Sequence, residues 1–238
     1  MESHKLKILQ VQDPERPKNV LARKIDPVLP DIAKNCCILI IGKVRASKST
    51  IISNLMLNEN FYKDLFDSVH IISPTASQDA TSRFLVDKYE GNVHNEYSDD
   101  LIESILRRQK SFPKDERPLV MLVIDDCLGL IPQNSLLWHL SSRYRHYNIC
   151  MIITTQAFKR VDPVLRVNAS HVLVCWNLAD IEIEKIAAEY GSLLGTDENF
   201  LSTYKRMVQK DPYTFLYLNM DNGEVHKNFT ERIYSPMN

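Results

Sequence analysis

One segment of the chain carries the residue types that hold a phosphate group. It reads ILIIGKVRASKSTII, with a short polar loop between an apolar run and a stretch suited to a helix. Compared with the pattern G-x-x-x-x-G-K-[ST], Gly42 fills the first position, Lys48 the lysine and Ser49 the hydroxyl. Backbone N–H groups at a helix start bind phosphate oxygens, the lysine neutralises the β- and γ-phosphates, and the hydroxyl is a Mg²⁺ ligand. The candidate nucleotide-binding residues are therefore Gly42, Lys43, Val44, Arg45, Ala46, Ser47, Lys48, Ser49 and Thr50.

One residue of this loop departs from the pattern, and a second is a long cation at an unrestricted position. Ser47 stands where the pattern has glycine, and Arg45 brings a long cation into the loop. Glycine is used where the backbone approaches a phosphate closely or needs an unusual φ, so a Cβ there costs roughly 1–3 kcal/mol of strain if the loop keeps its usual shape. We expect Ser47 to weaken nucleotide affinity or turnover. For this motif taken alone, the alternative is a chance match at an ordinary strand–helix turn.

A pair of carboxylates ends a second apolar run, which reads PLVMLVIDD. In enzymes with a phosphate loop, the first acid at such a strand end holds the Mg²⁺ shell and the next residue polarises the attacking water. Asp125 fits the first role and Asp126 the second, although glutamate is more usual in the second. Ser49 and Asp125 are thus the candidate metal ligands. The alternative is that the two acids only end a strand and cap the next turn.

A third apolar run, ICMIITTQ, ends in the polar residues Thr154, Thr155 and Gln156. Ligands of open α/β sheets bind at the carboxyl ends of parallel strands, so these residues are predicted beside the acids. Gln156 is a candidate to sense the γ-phosphate or to orient the attacking water. A polar strand end that faces solvent is the alternative.

Arginines are the remaining requirement, because a guanidinium stabilises the charge of a phosphoryl group in transfer. Arg145 precedes the third apolar run in SSRYRHYN, and Arg166 follows it in PVLRVNAS. Each is a candidate catalytic finger that reaches the site of a neighbouring subunit. A solvated or DNA-facing arginine explains either residue equally well.

Short apolar runs alternate with helical stretches, which is the pattern of a parallel α/β sheet with both faces covered. The predicted strands are Cys36 to Ile41, Val69 to Ser73, Leu119 to Ile124, Cys150 to Thr154 and His171 to Trp176. The predicted helices are Ser49 to Leu57, Ala80 to Tyr89, Leu101 to Gln109, Leu136 to Tyr144 and Ile181 to Tyr190. Ser98 is the expected N-cap of the third helix.

The two ends of the chain read differently from its middle. Residues 1–34 hold four prolines and scattered Lys and Arg, which predicts an extended N-terminal arm, and residues 35–238 are predicted to form the phosphate-binding domain. Near the C-terminus, Asn222-Gly223 lies between two apolar stretches and predicts a β-hairpin over about residues 214–229. We expect that hairpin to extend an edge of the sheet.

The composition limits the class of protein. The chain has 238 residues, 44% of them hydrophobic and 25% charged, with a net charge of −1, so any DNA contact must come from a local basic surface. No apolar run is long enough for a membrane span, and the first residues do not form a secretory signal. Five cysteines in or beside apolar runs, none in a C-x-x-C pair, predict buried thiols in a reducing compartment.

Together these segments resemble a known group of proteins. The order GKVRASKST, VMLVIDD, RYRHYNICMIITTQ and DPVLRVNASHVLV is similar to the FtsK–HerA superfamily, and most of all to the genome-packaging ATPases of poxviruses, other large DNA viruses and virophages. The most specific stretch is Arg145-His146, then Thr155-Gln156, then Arg166-x-Asn168-Ala169. The resemblance covers roughly residues 35 to 180.

The resemblance implies a RecA-like P-loop NTPase with a mostly parallel sheet flanked by helices. It implies Mg²⁺-dependent ATP hydrolysis by a ring of identical subunits, a pentamer or hexamer, that moves double-stranded DNA through a capsid vertex into a preformed capsid. The place of action would be the host cytoplasm or viral factory, with association with the virion. Residue by residue, the resemblance gives Asp126, Gln156, Arg145 and Arg166 catalytic roles, and it does not fix which arginine is the finger.

Two other functions fit parts of the sequence. A nucleotide or small-molecule kinase shares the loop and core, but it needs an arginine-bearing lid, and the segment from Lys159 to Arg166 is short and contains Pro163. A non-hydrolysing assembly factor would keep the fold with a phosphate loop damaged at Ser47. Phosphoryl transfer to a nucleoside monophosphate distinguishes the first, and absence of ATP turnover the second.

Overall fold

The computed structural model describes residues 21–76, 78–79 and 81–234. Within them one nine-stranded sheet forms, in the order β3-β2-β4-β5-β1-β6-β7-β8-β9. The strands are β1 Cys37–Ile41, β2 Ser68–Ile72, β3 Val93–His94, β4 Val120–Ile124, β5 Ile149–Thr155, β6 His171–Cys175, β7 Phe215–Asn219, β8 Glu224–Lys227 and β9 Glu231–Tyr234. All five predicted strands are present and parallel, with ends shifted by about one residue. The short β3 was not predicted.

Helices cover both faces of the parallel strands. They are α1 Lys48–Leu57, α2 Arg83–Lys88, α3 Asp99–Lys110, α4 Leu136–Ser141, α5 Pro163–Asn168, α6 Asp180–Tyr190 and α7 Asp197–Met207. Ser98 caps α3 as predicted, since its side chain accepts a hydrogen bond from the N–H of Leu101. The second helix is shorter than predicted, and the predicted start, Ala80, lies outside the described residues. The fourth ends at Ser141, and a separate 3₁₀ turn follows over Tyr144–Tyr147.

Two apolar cores lie on opposite faces of the sheet because side chains alternate along each strand. In β1, Cys37, Leu39 and Ile41 belong to one core, and Ile38 and Ile40 to the other. Every residue of β1, β4, β5 and β6 is buried, which explains why these segments read as continuous apolar runs rather than alternating ones. The prediction of a sheet covered on both faces is confirmed.

The C-terminal hairpin is confirmed at the sheet edge. Strand β7 pairs antiparallel with β6, and β8 pairs antiparallel with β7. Gly223 has a φ of +74°, as the turn of such a hairpin requires. A further strand, β9, pairs with β8 and was not predicted.

The part of the predicted arm that the structure describes, residues 21–34, packs on the domain. Leu29 and Ile32 are buried in the core beneath it. The hydroxyl of Tyr62 donates to the carbonyl of Pro30 at 2.8 Å, and Arg23 donates to the carbonyl of Phe61 at 2.8 Å. Residues 1–20 lie outside the described part.

The five cysteines lie where the composition predicts them. All five cysteines are buried and unpaired, as expected of thiols in a folded core. Among the described residues, no helix is long and apolar enough to cross a membrane.

Candidate nucleotide-binding site

The carboxyl ends of the parallel strands border a cleft of about 470 Å³. This volume lies in the range of small-ligand sites. The predicted phosphate loop forms one wall, and the two predicted acids form part of the floor. The lining residues are Val44, Arg45, Ala46, Ser47, Lys48, Ser49, Thr50, Thr75, Asp79, Thr81, Asp125, Asp126 and Tyr213.

Gly42 begins the loop at the end of β1, where the backbone passes close to its neighbours. A Cβ on Gly42 would lie 2.8 Å from the Cβ of Cys175 and 3.0 Å from the Cβ of Ala46. The N–H of Gly42 donates to the carbonyl of Thr155 at 3.0 Å, so the loop starts in register with β5. Glycine at the first position of the motif is therefore required by the packing of this strand end.

The structure also shows why serine at position 47 is less favourable than the glycine of the motif. Ser47 precedes α1 with a φ of +69°, in the left-handed region that glycine adopts without strain. Its Oγ is buried and has no hydrogen-bond partner among the described residues, and its side chain makes no cap bond to the helix. Arg45 has a φ of +63° in the same loop, but its side chain is exposed. The expectation of an unusual backbone at Ser47 is confirmed.

Ser47→Gly is expected to raise the free energy of unfolding by about 1 kcal/mol, because it removes a left-handed conformation from a residue with a Cβ. Ser47→Ala is the matched control, since it deletes the unpaired hydroxyl and keeps the Cβ. Urea unfolding of the three proteins measures the difference. An equal gain in both variants would assign the effect to the hydroxyl and refute the role of φ.

Lys48 is the most buried charged residue of the loop, with 6% of its surface exposed. Its Nζ donates to the carbonyls of Gly42 at 2.9 Å and Lys43 at 3.1 Å, and it lies 3.7 Å from Oδ2 of Asp126. An ammonium group has three donors, so two serve these carbonyls and one is left for a phosphate oxygen. The loop thus fixes the position of the cation before a phosphate arrives.

Asp125 is held in place by hydroxyl groups from two neighbouring strands. Thr154 donates to its Oδ1 at 2.7 Å and Ser73 to its Oδ2 at 3.2 Å. Burial raises the pKa of the Asp125 carboxyl above its ordinary value, and the charge of Asp126 adds to this, against the lowering effect of the two hydrogen bonds. A cation in the cleft would favour the charged carboxylate.

Asp126 is at the centre of a polar network that joins three strand ends. Its N–H donates to Oγ1 of Thr154 at 2.9 Å, and its Oδ2 accepts from Nε2 of Gln156 at 2.6 Å. The backbone of Asp126 has a φ of +55°, which is uncommon for a residue other than glycine and typical of functional sites. The structure therefore brings Lys48, Asp125, Asp126 and Gln156 together, as the sequence predicted.

The donors of the cleft suit a magnesium ion bound to a nucleotide. Mg²⁺ takes oxygen ligands and is usually held by one or two carboxylates together with phosphates and waters. Ser49 and Asp125 both line the cleft and offer a hydroxyl and a carboxylate. Among the described residues, no group of three or more His, Cys, Asp or Glu could hold a metal by itself.

The two predicted catalytic arginines are not among the residues that line the cleft. Arg145 lies in the 3₁₀ turn before β5, at the opposite edge of the sheet, where its guanidinium is 3.6 Å from Asp221 and stacks over Tyr144. Arg166 lies on α5, 3.2 Å from Glu189 and over the ring of Phe158.

The polar residues of the site that were not singled out from the sequence include Ser73, Asp79 and Tyr213. Ser73 follows β2 directly and reaches Asp125, so its place at a strand end was the available signal. Asp79 lines the cleft together with Ser49. Tyr213 comes from the loop before β7, far along the chain, and had no signal of its own.

With this geometry established, comparison with known proteins gives the family. The model of the poxvirus A32 protein family matches residues 32–215, well over half of the chain. The chain belongs to the poxvirus A32 protein family. The resemblance of the motifs to a protein family of poxviruses is confirmed.

Relatives of this A32-family chain include a viral protein and several solved structures. The uncharacterized protein 075L of Invertebrate iridescent virus 6 is 26% identical over 199 residues, which cover 80% of this chain and 74% of that protein. The DNA-packaging ATPase B204 of Sulfolobus turreted icosahedral virus has a TM-score of 0.59 at 16% identity, over 81% of this chain and 96% of B204.

Two further structures share the fold. The packaging NTPase B204 of Sulfolobus turreted icosahedral virus 2, solved with ATP-gammaS, has a TM-score of 0.58 at 14% identity, over 82% of this chain and 97% of that chain. EssC from Geobacillus thermodenitrificans has a TM-score of 0.56 at 11% identity, over 79% of this chain and 38% of EssC. The predicted fold class, a P-loop α/β domain with a mostly parallel sheet, is confirmed.

Proposed function

We propose that this protein is an ATP-hydrolysing motor that packages viral double-stranded DNA into a preformed capsid. The observation that carries the proposal is the network at the strand ends, in which Lys48, Asp126 and Gln156 meet beside the phosphate loop within 3.7 Å of their neighbours. A loop for phosphates, an acid for water and an amide that touches this acid are the parts that phosphoryl transfer to water requires.

The roles of the individual residues follow from their contacts. Residues 42–50 bind the phosphates of ATP. Ser49 and Asp125 would hold Mg²⁺, which would neutralise charge on the phosphates. Asp126 accepts a proton from the attacking water, and Gln156, in contact with the carboxylate of Asp126, couples that acid to the γ-phosphate.

We assign the two candidate arginines, Arg145 and Arg166, a role only between subunits. Each is held by a carboxylate outside the cleft, Arg145 by Asp221 and Arg166 by Glu189, so neither serves the site of its own chain. In a ring of five or six copies, one of them would enter the neighbouring site and complete it. We keep both as candidate fingers, and the A32 family membership supports a packaging role at a capsid vertex in the infected cell.

DNA contact is assigned to a basic loop next to the acid that activates water. Lys159 and Arg160 border a second cleft of about 370 Å³ that also contains Asp126 and Gln156. Because the cleft that this loop borders also contains Asp126 and Gln156, movement of DNA against the loop would be transmitted to the hydrolysis site. The division into an arm of residues 1–34 and an ATPase domain of residues 35–238 stays a proposal.

Steady-state ATP hydrolysis, with and without Mg²⁺ and double-stranded DNA, tests the proposal together with the mass of the native oligomer. We expect Mg²⁺-dependent turnover that rises on addition of DNA, and the mass of a closed ring. No turnover in either condition, unchanged by Asp126→Asn, would favour the assembly factor, and recovery of turnover in Ser47→Gly would show that Ser47 alone is responsible. Phosphoryl transfer to a nucleoside monophosphate would favour the kinase.

A further inference from the structure

A tyrosine stands at the mouth of the cleft in a conformation that few tyrosines adopt. In the turn Asp211-Pro212-Tyr213-Thr214, the N–H of Thr214 donates to the carbonyl of Asp211 at 3.3 Å, and Tyr213 has a φ of +66°. Proline second and a positive φ third are features of a type II turn, whose third position favours glycine or asparagine. A large aromatic residue at this position therefore needs a reason other than the turn itself.

The turn is fixed firmly to the sheet. The ammonium of Lys227 on β8 donates to the carboxylate of Asp211 at 2.6 Å, and the N–H of Trp176 donates to the carbonyl of Thr214 at 3.0 Å. The hydroxyl of Thr214 donates to the carbonyl of Val208 at 3.3 Å. The ring of Tyr213 is thus presented from a rigid support.

The ring itself is not part of a core. Tyr213 is 75% exposed, and its ring centroid lies 6.3 Å from that of Trp176, which leans on it at 52°. It lines the same cleft as the phosphate loop. A planar ligand can stack against an exposed aromatic face of this kind, which Trp176 supports on one side.

The sheet order places this ring on the correct side of the loop for a base. The acids follow β4, the phosphate loop follows β1, and Tyr213 precedes β7, with the strands in the order β4-β5-β1-β6-β7. The γ-phosphate must face Asp126 on the β4 side. The other end of the nucleotide then leaves the loop toward β6 and β7, where Tyr213 stands.

We propose that Tyr213 stacks on the base of the nucleotide bound in the cleft. The inference rests on the proposed function and extends it to nucleotide selection. Stacking reads the flat face of a base rather than its hydrogen-bonding edge. The site therefore separates nucleotides from bare polyphosphates and accepts both adenine and guanine nucleotides.

Titration calorimetry with ATP, GTP and inorganic tripolyphosphate tests the inference on the full chain. The informative variant is Tyr213→Gly, because glycine suits the positive φ and removes only the ring. We expect it to weaken ATP and GTP binding by roughly 5- to 100-fold and to leave tripolyphosphate binding unchanged. Tyr213→Phe keeps the ring and is expected to restore the preference for nucleotides.

Tyr234→Ala is the matched control, since Tyr234 is an exposed tyrosine on the edge strand β9. ATP affinity of Tyr213→Gly equal to that of the unaltered protein would overturn the inference and leave the proposed function standing. An equal loss for ATP and tripolyphosphate would also overturn it, because the effect would then come from the loop. Failure of the unaltered chain to bind either ligand would instead refute the proposed function.

Discussion

Asp126→Asn is expected to lower kcat for ATP hydrolysis by about 10²- to 10⁴-fold, the contribution of a general base. Asparagine keeps the size of the side chain and an oxygen that accepts the hydrogen bond from Gln156, which is 2.6 Å long in the structure. It cannot take a proton from water. ATP affinity is not expected to fall, because a negative charge next to the triphosphate is removed. Single-turnover hydrolysis and equilibrium ATP binding measure the two quantities separately.

Asp115→Asn provides the control for this change, because Asp115 is an exposed carboxylate in the loop before β4, at the other edge of the sheet. It should leave both quantities unaltered. Unchanged turnover in Asp126→Asn would contradict the assignment of Asp126 as the residue that activates water. Asp125 would then be the next acid to test for that role.

Lys48→Ala is expected to weaken ATP binding and to slow ATP hydrolysis. The ammonium is buried and bonded to two loop carbonyls, so its loss removes the main positive charge of the phosphate site. Loss of a buried charged partner costs about 2–4 kcal/mol, which corresponds to roughly a 30- to 1,000-fold lower affinity for ATP. Hydrolysis at saturating ATP should fall by a further 10²- to 10³-fold or so, since the lysine also stabilises the transition state.

The exposed Lys205 on α7 supplies a matched Lys→Ala control that lies outside the cleft. Thermal unfolding of both variants shows whether the chain remains folded, which matters because Lys48 is buried. A folded Lys48→Ala protein that hydrolyses ATP at the original rate would show that nucleotide binds elsewhere on the chain.

The parallel strands could be predicted because a strand that is buried on both faces of a sheet is a nearly continuous apolar run in the sequence. Residues 120–124 and 149–155 are buried throughout and are apolar except for Thr154 and Thr155, with further polar residues directly after them. Helix α7 was not predicted, although Thr196 caps it by accepting from the N–H of Asn199, with Asp197 and Glu198 in the first turn. These start signals are local and were available from the residues.

The sequence by itself determined the chemistry at the strand ends. A polar residue that directly follows a buried parallel strand lies at the carboxyl edge of the sheet, so the sequence placed Asp125, Asp126 and Gln156 at the same edge as the predicted phosphate loop. The strain expected at Ser47 also came from the motif alone, since glycine is used where the backbone approaches a phosphate closely or needs an unusual φ.

Only the tertiary structure decided which residues far along the chain lie at the carboxyl edge of the sheet and which lie away from it. Arg145 and Arg166 are held by carboxylates outside the cleft, and Tyr213 lines the cleft from a turn before β7. No local pattern encodes these positions, because they depend on which strands become neighbours in the sheet. The phosphate loop is thus a property of one short segment, whereas the surroundings of a bound nucleotide are a property of the whole fold.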